Sequence, residues 1–280
     1  MKTLKKIIAL VCAAAMVCAL AACGEKTQPA TDTPNNSTGT SVTDTATSDT
    51  AVSGDIKYTV DGKLTMGTNA EFPPYEYHEG GDIVGIDAEI AALIAQKLGV
   101  ELEIKDMEFD SIIGAVQTGS IDIGMAGMSV TEDRLKTVDF TNNYTTAAQV
   151  IIVKDDSTVA SIDDLKDKKV GVQESTTGDM SVTEDLGEDH VKRYNKGSDA
   201  VSALKSGAVD AVVIDGEPAK SYVAANEGLK ILETNYATEE YAIAVNKDNA
   251  ALTEAINKAL TELEADGSIE KIINKYIPAE

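Results

Sequence analysis

From Lys63 onward the apolar residues of this chain change period by turns, and that alternation narrows the fold more than any other feature. The run 63–68 is short, apolar and strand-like. Over 88–98, Ile90, Ile94 and Leu98 recur every fourth residue and stop at Gly99, the pattern of a helix with a C-terminal glycine. ELEI at 101–104 predicts a strand; Phe109, Ile112, Ile113 and Val116 then mark one face of a helix, and IDIGM at 121–125 predicts another strand. Further strands are expected at 169–173, 191–194, 210–214 and 240–245, with helices at about 177–186, 198–206, 216–226, 248–265 and 267–276. Strands alternating with helices imply an α/β fold with a mostly parallel sheet covered on both faces.

One unit of this pattern has an echo. FDSIIGAVQTGSIDIGMAG (109–127) resembles SDAVSALKSGAVDAVVID (198–215). Each is an amphipathic helix, a glycine turn, an aspartate and an apolar strand. With one gap, Asp122 matches Asp210 and Gly127 matches Asp215. Two ordinary helix–strand units can look alike by chance; read as a repeat, they imply two similar lobes. The carboxyl ends of their strands would border one crevice, where open α/β sheets bind ligands.

The N-terminus bears on the compartment. Lys2, Lys5 and Lys6 precede an apolar run from Ile7 to Leu20, followed by LAAC at 20–23. This reads as a secretory signal over 1–22, too short and too soon polar to span a membrane. Its end resembles a bacterial lipobox, with cleavage before Cys23, which would carry the lipid; cleavage near an A-x-A-like site would instead leave a soluble secreted protein. Two or three acyl chains on one residue meet the requirement for stable anchoring. Residues 24–54 are rich in Thr, Ser, Asp, Pro and Asn and hold few large apolar side chains. Such a stretch cannot bury enough surface to fold, so 23–55 is expected to be a lipidated, disordered tether. The three cysteines all lie at or before Cys23, so the body has no disulfide and no thiolate metal site. A net charge of −23 argues against nucleic acid as a partner.

Within the body, MAGMSVTEDR (125–134) places an arginine where a helix start disfavours one. Thr131 suits an N-cap and Glu132 and Asp133 suit a first turn. Arg134 then falls three residues after the cap, where a capping box puts Glu or Gln. It pairs with Glu132 or Asp133 on a solvated face, or it serves a site.

Six stretches together resemble the polar amino-acid binding proteins of bacterial ABC importers, the solute-binding proteins of periplasmic type that Gram-positive bacteria tether as lipoproteins. They are GTNAEFPPYEY (67–77), GID (85–87), FD (109–110), AGMSVTEDR (126–134), VGVQESTTG (170–178) and DAVVID (210–215). The resemblance runs from about residue 60 to 278 and rests on order and spacing. It implies two Rossmann-like lobes joined by a two-strand hinge. Lobe 1 is expected over 56–146 plus 244–280 and lobe 2 over 147–243, with the hinge near 145–149 and 239–245. It also implies a monomer that closes on a free amino acid, polar or basic, such as glutamine, arginine, lysine, histidine or cystine. Delivery would be to a permease driven by an ATPase, at the outer face of the cell membrane, with no cofactor or metal.

The chemistry suits a zwitterion. Arg134 can hold the carboxylate bidentately, with Ser129 and the backbone N–H of Ser129 or Gly127 as further donors. Thr176 and Thr177, before Gly178 at a helix start, suit the same carboxylate; capping alone also explains them. The family pattern gives Asp215 the ammonium, and it sets Phe72 and Phe109 against the ligand side chain. Both are also plausible core residues, and Asp87 reads as a helix cap. Ala126 stands where some relatives carry Ser. Asn69 stands where basic-ligand relatives often have Asp. Glu71 and Glu174 are candidates to restore an acidic side-chain site, and Gln173 points weakly to an amide-tolerant one. Two rivals use the same fold: a ligand-sensing module without transport, and a dehydratase of cyclic carboxylates, cyclohexadienyl dehydratase-like, with Glu174 as a candidate acid. No G-x-S-x-G, H-E-x-x-H or phosphate-cradling loop is present, and His78 and His190 read as surface residues.

Overall fold

The computed structural model describes residues 55–278 except Thr234. The signal, Cys23 and nearly all of the tether lie outside the described residues. No helix among the described residues is long and apolar enough to cross a membrane.

The chain starts with β1 (Lys63–Thr68) and a small separate sheet of β2 (Glu71–Phe72), β3 (Glu76–Glu79) and β4 (Asp82–Val84). Then follow α1 (Ile86–Leu98), β5 (Glu101–Asp106), α2 (Phe109–Gln117), β6 (Ile123–Gly124) and α3 (Glu132–Thr137). A long strand, β7 (Asp139–Lys154), leads into β8 (Val170–Gln173), α4 (Thr177–Leu186), β9 (Val191–Tyr194), α5 (Gly197–Ser206), β10 (Ala211–Asp215), α6 (Gly216–Ala225) and β11 (Leu229–Ile231). The return strand β12 (Ala237–Val245) precedes α7 (Ala250–Ala265) and α8 (Ser268–Tyr276).

The large sheet runs β5-β1-β6-β12-β7-β10-β8-β9, with β11 beside β7. It is parallel at both ends, where β1 pairs β5 and β6 and β8 pairs β9 and β10. Its centre is antiparallel. β12 pairs β6 through Ala244 and Val245, and pairs β7 from Asp139 to Gln149, with register shifts near Ala242. β7 continues past that ladder to pair β10 and β11. These two strands therefore belong to both ends of the sheet. The sequence reading placed only a hinge near 145–149 and began β12 at 240; the whole of β7 and the small β2–β4 sheet were not expected. β2–β4 are too short for a two-residue period to show.

Helices cover both faces, which explains the unbroken apolar runs. In β10, Val212 and Ile214 join the core shared with Leu64, Met66, Ile90, Ile256 and Leu260, while Ala211 and Val213 turn to a second core with Ile151, Val172 and Val182. A third cluster holds Phe109, Ile112, Val116, Met128 and Val138.

Candidate functional site

The arginine at the start of α3 does not serve a solvated face. Thr131 caps the helix, its hydroxyl accepting from the Arg134 N–H at 3.2 Å. Asp133 pairs with Lys136 instead, and the Arg134 side chain turns inward to 6 % exposure. There Nη1 donates to the Ser129 carbonyl at 2.6 Å, and Nη2 donates to the Ser175 carbonyl at 2.9 Å. The guanidinium carbon lies 5.4 Å from the centre of the Phe109 ring, within cation–π range. Burial pulls this guanidinium down to about 10, opposed by the Glu239 and Asp215 carboxylates. Two N–H groups fix the plane, and Nε and the remaining hydrogens are left for an anion.

Across the cavity, α4 begins at Thr177 behind the N-cap Thr176, whose hydroxyl accepts from Asp179 N–H and donates to the Gln173 carbonyl. Free N–H groups and hydroxyls at such a start favour an anion. A Cβ on Gly178 would lie 2.9 Å from Gln149 Oε1, so the missing side chain lets the helix approach. Gln149 Nε2 donates to Asp215 Oδ2 at 2.8 Å, and the Tyr241 hydroxyl donates to Asp215 Oδ1. Burial pushes Asp215 up to about 7, helped by Glu239 and opposed by those two hydrogen bonds. A desolvated carboxylate of this kind is stabilised by an arriving cation.

Phe72 and Phe109 form the walls, at 8 % and 9 % exposure. Both core and cavity readings hold for Phe109, which packs against Ile112 and also faces the space. Gly127, at φ +51°, passes under Phe72; a Cβ there would come 2.7 Å from the ring. Asn69 lines the space, but its amide is engaged: Nδ2 donates to the Met107 carbonyl, and Oδ1 accepts from Gln173 Nε2.

These groups surround one cavity. Its lining contains Asn69, Phe72, Phe109, Ala126, Gly127, Arg134, Thr176, Thr177 and Asp215, all named from the sequence. Ser129 is absent from it. Its hydroxyl donates to Glu239 at 2.5 Å and its carbonyl orients Arg134, so in this structure its side chain and carbonyl both support the arginine. The Gly127 N–H, another expected donor, is spent on Asp87 Oδ2 at 2.9 Å. Asp87 is correspondingly not a cap: it sits inside α1, fully buried, and also accepts from the Tyr144 hydroxyl. Glu71 pairs with Lys196 at 2.8 Å, and Glu174 is exposed; neither lines the cavity. Gln173 and Glu76 do. Sequence reasoning passed over Glu76 altogether, because its strand, Glu76–Glu79, is too short to show a period. It is 1 % exposed, and neither oxygen meets a donor.

The model of the bacterial extracellular solute-binding proteins, family 3, matches residues 64–279. The chain belongs to that family. The relatives that the chain matches are substrate-binding proteins of transporters, not enzymes. Among family 3 relatives, the arginine-binding extracellular protein ArtP of Bacillus subtilis is 39% identical over 228 residues, covering 78% of this chain and 87% of its own. A solved structure of an ancestral arginine-binding protein bound to glutamine superposes with a TM-score of 0.75 at 45% identity, covering 79% of this chain and 100% of that one. The arginine-, lysine-, histidine-binding protein ArtJ of Geobacillus stearothermophilus gives a TM-score of 0.75 at 33% identity, covering 78% and 96%. These likenesses agree with the two-lobed α/β fold of the periplasmic-binding-protein type.

Proposed function

We propose that this protein captures a free cationic amino acid, arginine first, and delivers it to an ABC permease and its ATPase. One observation carries the reading: a guanidinium and two carboxyls, Arg134, Asp215 and Glu76, are buried around one cavity, and among the described residues none of the three makes an ion pair. Arg134 and the start of α4 would take the ligand carboxylate, Asp215 the α-ammonium, and Glu76 the distal cation, with Phe72 and Phe109 against the aliphatic stem. Glu76 supplies the acidic group that Asn69 lacks. Relatives bearing the names of arginine- and histidine-binding proteins support the same class.

Lobe 1 (56–146 plus 244–280) and lobe 2 (147–243) would close about β7 and β12. Contacts that tie the two sides support this: Gln173 to Asn69, Arg134 to Ser175, and the Tyr222 hydroxyl to the Glu71 carbonyl. A zwitterion paired from both sides fits micromolar affinity or better, about −8 kcal/mol. The protein would act as a monomer, held at the outer membrane face by lipid on Cys23.

The test is calorimetric titration of the chain from Gly24 on, refolded to strip carried-over ligand, against each free amino acid and cystine. Saturable one-to-one binding of arginine or lysine supports the reading. Binding of neutral amino acids alone removes the cationic class, and silence from folded protein removes amino acids altogether.

A further inference from the structure

Glu76, which lines the cavity, and Asp87, buried behind it, differ in what holds them. Asp87 Oδ2 accepts from the Gly127 N–H and the Tyr144 hydroxyl, both at 2.9 Å. Glu76 accepts from nothing, and Asp87 Oδ1 likewise meets no donor. Yet the two carboxyls lie within hydrogen-bonding reach of each other. Two carboxylates offer only acceptors, so this contact exists only when one carries a proton. The proton belongs on Glu76. Two donors favour the anion of Asp87, which burial nonetheless pushes up to about 6. Burial and the Asp87 charge push Glu76 well above the usual carboxylate range.

The groups packed around this pair do not neutralise it. Asp87 comes from α1, Asp215 from the end of β10, Tyr144 from β7, Tyr222 from α6, Tyr241 from β12 and Tyr75 from beside Glu76 itself. Burial pushes the four tyrosines up, so they stay uncharged. Arg134 is the cation of the cavity lining, and its guanidinium is turned to Ser129 and Ser175. A cation delivered by a ligand would be the group that lets Glu76 ionise.

Resting on the cationic amino-acid reading above, we propose that Glu76 and Asp87 form a proton-sharing pair that exchanges its proton for a cationic side chain and keeps it for a neutral one. On binding arginine, the Glu76 O–H bond breaks, the proton leaves to solvent and the guanidinium pairs with the Glu76 carboxylate from the cavity side, with Asp87 behind it. On binding a neutral side chain, Glu76 stays protonated and donates. The proton thus makes selectivity between the two classes depend on pH.

The deciding experiment compares arginine with citrulline, which replaces the guanidinium by an uncharged urea. Each is titrated calorimetrically in buffers of high and low ionisation enthalpy, which counts the protons released. Both ligands carry the same α-ammonium, so protons released at Asp215 cancel in the difference. Arginine is expected to release about one proton more, and its advantage over citrulline to grow up to about tenfold per pH unit until the pair has lost its proton. Glu76→Gln is expected to abolish the extra proton and flatten that slope. Should the variant not fold, the wild-type count decides alone. Equal proton counts and a flat affinity ratio, with arginine bound, overturn the exchange and leave the cationic reading standing. Failure of arginine to bind at any pH from about 5.5 to about 9 overturns the reading and the exchange with it.

Discussion

In the unit from α2 to β6, Asp122 N–H donates to the Thr65 carbonyl, and Asp122 Oδ2 accepts the Thr65 N–H at 2.7 Å. In the unit from α5 to β10, Asp210 N–H donates to the Lys169 carbonyl, and Asp210 Oδ2 accepts the Lys169 N–H at 2.8 Å. The echo in the sequence is therefore a shared latch, in which one aspartate clasps both backbone groups of a residue at the neighbouring parallel strand. Past the latch the units part. The first runs into Gly127 and on to Arg134; the second ends on Asp215. The same scaffold, built twice, brings opposite charges to one cavity, and under the proposed function the difference between the two copies sets which way round a zwitterion lies.

The largest effect should come from removing the first copy's charge. Arg134→Ala is expected to cost about 2–5 kcal/mol of amino-acid binding, a loss of thirtyfold or more, with circular dichroism unchanged; binding within a few-fold of wild type would break the comparison at its centre. Next come the latches. Asp122 is buried and also accepts from Thr59 and Thr65 hydroxyls, whereas Asp210 is exposed. In urea unfolding, Asp122→Ala is expected to lose about 2–4 kcal/mol and Asp210→Ala about 1 kcal/mol; equal losses would mean that the latch is not the part that differs in burial.

Asp215 sharpens the comparison through pH. Its folded-state value, about 7, lies above the ordinary aspartate value of about 3.9. Ionised Asp215 therefore weighs against the ligand-free fold above that window and costs nothing below it. Asp215→Asn is expected to exceed wild type in Tm at pH 8, with the advantage shrinking through pH 7 to 4 and gone below about 4, while binding weakens at every pH. A constant Tm difference across that range would show that Asp215 is not desolvated. The smallest effect is expected for Lys196→Ala. Lys196 and Glu71 are each about a third exposed, so losing their pair should change arginine affinity by no more than about twofold.

The fold was readable where physics is local. Helix faces such as Phe109, Ile112 and Val116 announce themselves by spacing, and Gly99 and Gly207 end their helices in the left-handed conformation. Arg134 stood out because it opposes the helix dipole, a conflict that only a tertiary purpose resolves. Asp215 needed the family resemblance, since a strand ending in Asp-Gly is also an ordinary turn. What stayed hidden is partner choice. Whether the Gly127 N–H meets a ligand or Asp87, and whether Ser129 donates outward or to Glu239, depends on chain segments far away in sequence. Glu76 was missed for the same reason. A glutamate in a four-residue strand ordinarily faces water, and its burial is decided by α1, β7 and β12 packing over it.

The path of β7 and β12 also sets an order in which the molecule can finish folding. β6 takes β12 as its second neighbour, Gly124 pairing with Ala244, and α1 is covered by α7 and α8. The strands β8 to β10 find their partners much sooner after they appear. The part of the protein made first is thus completed last: at about 5–20 residues per second, β6 waits on the order of ten seconds of synthesis for its mate. Over that interval the side of α1 that α7 and α8 will bury has no cover. Chaperone binding to the nascent chain should concentrate there, and a truncation after β11 should leave the β8–β10 end structured with the older half still waiting.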